Sequence, residues 1–414
     1  MRKALPPILI CLVIAAPAVA LRLLGVALPA PAELVVFGAA VVAASFMLAW
    51  AAEAAEHDIS GGLAMAILAV IVVLPEYAID LYFAYTAGSN PANVAYAAAN
   101  MTGSNRLLLG VGWAVVVIVA VGVASRRSGH PVKAVMLDAA HRLELGFLAI
   151  ASLLSLLIPI TGQIHLVLGV VLLGWFVFYL VRVAQGEGED ELDLVGPAAR
   201  IGELPAVQRR AVVVVVFVLS AGLILMCAEP FANALVDSGR VLGIDQFLLV
   251  QWLAPLASEA PELIVAVIFA VRGKADGAIG MLISAKVNQW TLLVGSLPIA
   301  YLLGGGHAAL QMDSRQVEEF VLTAAQTLLG IAALLSLRFS RSLAWTLLGL
   351  FAVQFIIPGT GGRLILSAVY VALAIGAMIM HRRHLLPTLL APFRREDAIL
   401  ARERTDLKER VTLG

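Results

Sequence analysis

Charge is what this chain of 414 residues has least of. Asp, Glu, Lys and Arg together make up 14% of it, against roughly 25% in an ordinary soluble domain. So few polar side chains cannot cover a water-facing surface of this size, which excludes a soluble enzyme, a disordered chain and a coiled coil. Net charge is also missing: 28 Lys plus Arg balance 28 Asp plus Glu, so there is no basic face for a nucleic acid. Cysteine is scarce. Cys11 and Cys227 both lie in apolar runs, which excludes a disulfide framework or a zinc site and leaves two small apolar fillers. HExxH, a Walker loop, GxSxG and a long Gly-rich phosphate loop are absent as well.

Hydrophobic residues fill the space: 61% of the chain, with a mean hydropathy of +0.96. The natural unit is therefore the membrane helix of about 20 apolar residues. Apolar stretches cover 6–28, 32–55, 62–87, 93–124, 134–159, 163–184, 207–236, 243–271, 277–303, 317–338, 342–359 and 363–381. The expectation is an all-α polytopic membrane protein of about 12 transmembrane helices. Strands of a barrel would be shorter and would alternate apolar with polar, which these stretches do not. Arg2, Lys3, the apolar run from Pro6 and Ala18-Val19-Ala20 imitate a signal peptide, but the apolar run continues to Leu28. An uncleaved helix is expected there.

Loop charges give the orientation. With the N-terminus inside, the inner connections carry Arg126, Arg127 and Lys133; Arg200, Arg209 and Arg210; Arg272 and Lys274; Arg338 and Arg341. The outer ones hold mainly Arg22, Arg240, Arg315 and Arg363. This is a positive-inside pattern and places both termini in the cytoplasm. Glu53, Glu56, His57 and Asp58 cluster at an inner helix end, where interface solvation accounts for them. Asp138, His141, Arg142 and Glu144 read as a helix-start network. The charged segment 185–206 reads as a cytoplasmic linker between two halves. The tail 382–414 opens with LLPTLLAPF, expected as a surface helix at the cytoplasmic interface.

The two halves resemble each other. Residues 51–76 read AAEAAEHDISGGLAMAILAVIVVLPE and residues 228–262 read AEPFANALVDSGRVLGIDQFLLVQWLAPLASEAPE. Each has an early Ala-Glu, a polar break, an apolar run and then Pro-Glu. Loop charges run the two Pro-Glu helices in opposite directions, so the repeats are inverted. Inverted repeats with interrupted helices are how many secondary transporters build a midplane site. The division expected is an extra helix at 1–31, a first repeat at 32–184 with its motif at 72–112, the linker 185–206, a second repeat at 207–360 with its motif at 255–295, an extra helix at 361–381, and the tail.

A carboxylate at the bilayer centre is costly, which makes Glu76 and Glu262 functional candidates. Each follows a proline, which frees helical carbonyls as further oxygen ligands. Carboxylates with carbonyls and amides suit a hard cation such as Ca2+ or Na+. Asp80, four residues after Glu76, and Glu259, three before Glu262, share their faces. Both are candidate proton carriers, since crowded carboxylates repel unless a proton or a cation neutralises them. Asn100, Thr102, Gly103, Ser104 and Asn105 interrupt one apolar helix; Ser284, Lys286, Asn288 and Gln289 interrupt its counterpart. An ammonium at the depth of Lys286 needs a carboxylate, with Glu259, Glu262 and Asp80 the available ones. It is either a built-in cation filling one ion position or a structural ion pair.

These residues resemble the sodium/calcium exchanger family, the cation/calcium antiporter superfamily. Ala257-Ser258-Glu259-Ala260-Pro261-Glu262 matches its first repeat motif, and Leu74-Pro75-Glu76 matches it in the first half. Asn100 to Asn105, N-M-T-G-S-N, matches the second motif, and Gly280 to Lys286 holds the corresponding place. The resemblance spans roughly 32–360 and implies two inverted bundles of five helices, with one extra helix at each end. It implies Glu76 and Glu262 as central cation ligands, joined by Asn100, Ser104, Asn105 and Ser258. Departures stand at Val72, Val73, Glu259, Met281, Ala285 and Lys286. Several sodium oxygens are thereby missing, and Lys286 would repel a neighbouring cation.

The expectation is a secondary-active antiporter exchanging Ca2+ or Na+ against H+ or Na+ by alternating access. It sits multi-pass in the cell membrane and its partners are inorganic cations, protons and the lipid bilayer. No cofactor is expected, the cation being cargo. An intramembrane hydrolase would need two opposed deep aspartates, and only Asp80 fits. The alternative is a non-transporting membrane scaffold or sensor whose site is locked by Lys286.

Overall fold

In the bilayer core a backbone must satisfy its own polar groups, which apolar helices do. The computed structural model describes residues 5–56, 58, 73–185, 194, 196–357 and 359–394, and it is helical almost throughout. The helices are α1 (Leu5–Leu24), α2 (Ala30–Glu56), α3 (Leu74–Ala87) and α4 (Asn93–Leu107), the last running through a π-helix, Leu108–Trp113, into α5 (Ala114–Ser128). Then come α6 (His141–Ser155), α7 (Leu157–Thr161), α8 (Leu166–Val183), α9 (Gly196–Gly202), α10 (Ala206–Leu242) and α11 (Gln246–Arg272). The chain continues as α12 (Ala275–Asn288), a second π-helix (Gln289–Leu293), α13 (Val294–Leu303), α14 (Ser314–Leu334), α15 (Arg341–Val353), α16 (Gly359–Met380) and α17 (Arg382–Leu390).

Nine helices among the described residues are long and apolar enough to cross a membrane. The remaining expected stretches take other forms: α3 is the described part of 62–87, α12 and α13 are joined through a π-turn, and α15 has 13 residues. The ends of three expected spans are not helical. Residues 134–136, 163–165 and 338–340 are short strands β1, β2 and β4, with β3 at Ala309–Gln311. Ala134 pairs with Ser340 and Val135 with Phe339. Antiparallel pairing satisfies backbone groups where the chain turns between helices.

Two compact units are present, each drawing on both halves of the sequence. The first takes in Met1–Ser104, Val183–Val265 and Ser296–Leu310; the second takes in Asn105–Arg182, Ala266–Gly295 and Gln311–Gly414. In the first, α2 packs along α10, with α1 and α9 against α2 and α3 against α10. Ala40, Ala43, Ala44, Ala51 and Ala54 make α2 slim and are buried, which lets helix backbones approach where lipid offers no hydrophobic drive. Cys11 packs in this core with Met47, Ile201 and Val213, the filler role expected of it.

Asp58 is not merely solvated. Arg209 grips both its oxygens, at 2.6 and 2.7 Å, and Arg210 adds a contact at 3.2 Å. The hydrogen bond from Arg209 leads the causes that lower its pKa from 3.8 to about 2. A depressed pKa contributes stability that is complete above the unfolded value and is lost as pH falls through the folded one. The wild type should therefore melt above Asp58→Asn at pH 6, with the gap closing between about pH 4 and pH 2. A gap independent of pH in that window would reject the pairing. His57 and the side chain of Glu56 lie outside the described residues.

In the second unit, α14 packs on α16, α15 on α5, and α12 and α17 on α6. The expected helix-start network is present: Asp138 accepts from the Ala140 amide at 2.8 Å, and the His141 ring lies between Glu144 (3.0 Å) and Asp276 (3.2 Å). The tail segment expected as a surface helix opens with the helix Arg382–Leu390, whose one buried residue is Thr388. Arg142 donates to Thr388 and Arg182 to the Pro392 carbonyl, while Phe393 packs against Trp175 and Phe178. The first part of the tail is docked on the protein because its two buried carbonyl and hydroxyl acceptors find arginines there; residues 395–414 lie outside the described residues.

Candidate cation site

Three helices of the first unit carry most of the candidate residues: α3 with Glu76 and Asp80, α4 with Asn100 and Ser104, and α11 with Ser258, Glu259 and Glu262. The two Pro-Glu pairs are placed differently. Pro75 stands at the start of α3, so Glu76 lies in its first turn, where the positive end of the helix dipole favours a carboxylate. A missing proline N–H costs nothing in that position. Pro261 instead lies inside the continuous helix α11, as does Pro255. The mid-helix setting expected of both pairs holds for Glu262 and not for Glu76 in α3.

Proline removes the donor that would serve the carbonyl four residues earlier. Pro261 thus releases the Ala257 carbonyl and Pro255 releases that of Gln251. Ser258 donates to the Ala254 and Pro255 carbonyls, at 3.2 and 3.3 Å, bracing the helix between the two prolines. The Gln251 carbonyl turns to Gly103 of α4: a Cβ on Gly103 would lie 1.7 Å from that oxygen. The Gln251 amide donates to Thr102 at 3.2 Å. The segment holding Asn100 and Ser104 is therefore locked to α11 by backbone contact.

Glu76, Asp80, Asn100, Ser104 and Glu259 are buried, and Asp80, Asn100 and Ser104 are wholly so. Asp80 is held in the field of Glu76, with the Asn100 amide facing it. Neither Asp80 oxygen, nor the Asn100 amide, nor the Ser104 hydroxyl completes a hydrogen bond of normal geometry among the described residues. Buried polar atoms in that condition are uncommon in a native protein and leave room for water or an ion as their partner. The Tyr77 phenol lies in the combined field of Glu76, Asp80 and Glu262. It is buried beside Glu76, between two acids one helical turn apart in the sequence. Among the described residues, no three His, Cys, Asp or Glu side chains stand close enough to chelate one metal ion.

Asn105 and Lys286 belong to the second unit. The buried Lys286 ammonium donates to the Asn105 backbone carbonyl. Each of these helices then widens into a π-helix, and each π-helix carries a fully buried tryptophan, Trp113 and Trp290. Trp113 donates to the Leu282 carbonyl at 3.3 Å and Trp290 to Thr327 at 3.2 Å. π-turns of this kind recur at functional sites, and periodicity gives no sign of them.

The sequence matches the model of the sodium/calcium exchanger protein family over residues 30–185 and 212–358. The structure is similar to that of an H+/Ca2+ exchanger, CAX, at 39% identity and a TM-score of 0.88, covering 96% of this chain and 99% of that one. It shares its fold with native YfkE, at 15% identity and a TM-score of 0.60, covering 89% and 99%. The sodium-calcium exchanger NCX_Mj is a more distant likeness, at 19% identity and a TM-score of 0.51, covering 78% and 96%. Among curated proteins, none matches the sequence. These neighbours are ion exchangers and not enzymes, and the chain is a multi-pass membrane transporter that belongs to the sodium/calcium exchanger family.

Proposed function

We propose that the protein is a secondary-active cation antiporter that moves Ca2+ or Na+ against H+ or Na+. The observation that carries this reading is the buried group of Glu76, Asp80 and Asn100, with Glu262 sharing the Tyr77 environment. The 39% likeness to an H+/Ca2+ exchanger favours Ca2+ as cargo and H+ as counter-ion. Glu76 and Glu262 serve as the central ligands, with Asn100, Ser104, Asn105 and Ser258 supplying neutral oxygens. Asp80 and Glu259 carry protons.

The chemistry is competition. A divalent cation and protons relieve the same carboxylate repulsion, so one displaces the other. Two carboxylates with neutral amide, hydroxyl and carbonyl oxygens make a sufficient set for a hard cation, so the site needs no cluster of three acids. Rocking of helix groups about a midplane site would then expose it to alternate sides. The setting is the cell membrane, with both termini cytoplasmic as the loop charges require. In proteoliposomes, an imposed proton gradient should drive Ca2+ uptake, with Na+ and K+ gradients as controls. Absence of flux under every gradient would leave the scaffold or sensor reading.

Lys286 gives the sharper test of stoichiometry. Its ammonium has about the charge of a bound Na+ and stands where the family motif places an oxygen ligand. It takes the place of one ion and reduces the cations moved per cycle. Lys286→Asn should add or strengthen Na+ dependence and shift the pH profile of flux. The same ion dependence and pH profile as wild type would sink the tethered-cation idea.

A further inference from the structure

Arg106 directly follows the ligand segment Asn100–Asn105, and it is buried at 2% exposure. A guanidinium at that depth requires a partner. Within the second unit it pairs with Glu319 of α14 at 2.5 Å, and both side chains are 3% exposed. Glu319 is 3.7 Å from Arg363 of α16, which binds Glu318 at 2.9 Å. Two positive and two negative charges thus form one neutral network. Arg106 also donates to Gln354 at 3.1 Å.

The backbone at this point is held as firmly as the side chain. The helix widens from α4 to the π-helix after Leu107, and side chains take carbonyls just before the change. Lys286 donates to the Asn105 carbonyl, and Gln326 of α14 donates to the Arg106 carbonyl at 3.4 Å. A buried ion pair adds little net stability over apolar residues of similar volume, while an unpaired buried charge is costly. Fixed geometry is the use of such a pair that its cost allows.

We infer that Arg106 and Glu319 are positioning residues: their ion pair, backed by Arg363 and Glu318, fixes the end of the ligand segment and so sets cation affinity. The inference rests on the antiporter reading for its affinity consequence and on the geometry alone for its structural one. Neither residue touches the cation; they act through the covalent chain that carries Asn100, Ser104 and Asn105.

The test uses the full chain in proteoliposomes and in detergent. Glu319→Gln removes the guanidinium's counter-charge, and half-saturating Ca2+ should rise about tenfold or more while the maximal rate stays within about twofold. Arg106→Gln/Glu319→Gln, which removes both charges, should lie closer to wild type than Glu319→Gln does, and Arg106→Lys should recover part of the affinity lost in Arg106→Gln. Hydrogen exchange of the peptide spanning 93–113 should rise in Glu319→Gln and not elsewhere in the molecule. That last readout needs no transport: if wild type moves no ion, the antiporter reading fails while the exchange arm still decides the latch. Unchanged half-saturation in a transporting Glu319→Gln, or unchanged exchange at 93–113, overturns the inference. Loss of folded protein in both Glu319→Gln and the double variant also overturns it, by making the pair a folding element only.

Discussion

Glu76→Gln and Glu262→Gln should each abolish cation-dependent flux while leaving a folded protein. Glutamine keeps the shape and removes one formal charge. A unit charge facing a cation at about 4 Å is worth about 4 kcal/mol at an effective dielectric of 20. That is about a thousandfold in affinity. The stability side runs the other way. A buried carboxylate is expensive to desolvate, and exchanging it for a neutral isostere is near neutral for folding. Flux and fold are thereby separable. The check is Ca2+ uptake at matched protein density, with melting in detergent measured on the same samples. Either variant transporting at the wild-type rate would remove that residue from the site. Ser258→Ala is the internal comparison: Ser258 braces α11 through the Ala254 and Pro255 carbonyls, so its loss should cost flux far less than the loss of a formal charge.

The helices and the acidic site were both legible in the sequence because membrane insertion leaves few options. An apolar stretch of spanning length must become a helix, and a carboxylate inside one must have a use. Glu76 and Asp80 stand out on those grounds and Asn100 by the motif it opens; all three are buried. What the sequence does not display is where helices touch. The π-helix after Leu107 breaks no hydrophobic pattern, since its residues carry no polar side chain apart from the tryptophan N–H, and the one after Asn288 differs only by Gln289 and Thr291, which a regular helix would accommodate equally well. Strand β1 is indistinguishable from a helix end in the sequence because Ala134-Val135-Met136 is as apolar as the span that follows it. Arg106 reads as one cation in an apolar run; its meaning depends on Glu319, 213 positions away, and no local pattern joins them. The charge of Lys286 calls for a carboxylate, while its hydrogen bond to the Asn105 backbone oxygen has no sign in the sequence.

The contact between Gly103 and Gln251 yields the other large expected effect. In an unconstrained helix, Gly→Ala stabilises by about 1 kcal/mol. At Gly103 the new methyl would lie 1.7 Å from the Gln251 oxygen and 2.7 Å from its carbonyl carbon. Both are backbone atoms, so no rotamer change relieves the clash, and α4 and α11 must separate locally. The Gln251–Thr102 hydrogen bond then fails, at a cost of about 1 kcal/mol, on top of the 1–3 kcal/mol or more typical of overpacking. Gly103→Ala should therefore lose about 2 kcal/mol or more net. Because Asn100 and Ser104 flank this contact, flux should fall about a hundredfold, the usual consequence of an ångström of misplacement at a reacting group. Gly122→Ala is the control, since nothing lies within 4 Å of its Cβ position; it should melt at or above wild type. The cause itself can be tested by a second change. Pro255→Ala supplies the N–H that the Gln251 carbonyl lacks, draws that oxygen back into the helix and should restore part of the stability lost in Gly103→Ala. If Gly103→Ala melts and transports like Gly122→Ala, the two helices are not held by this contact, and the placement of Asn100 and Ser104 must depend on something else.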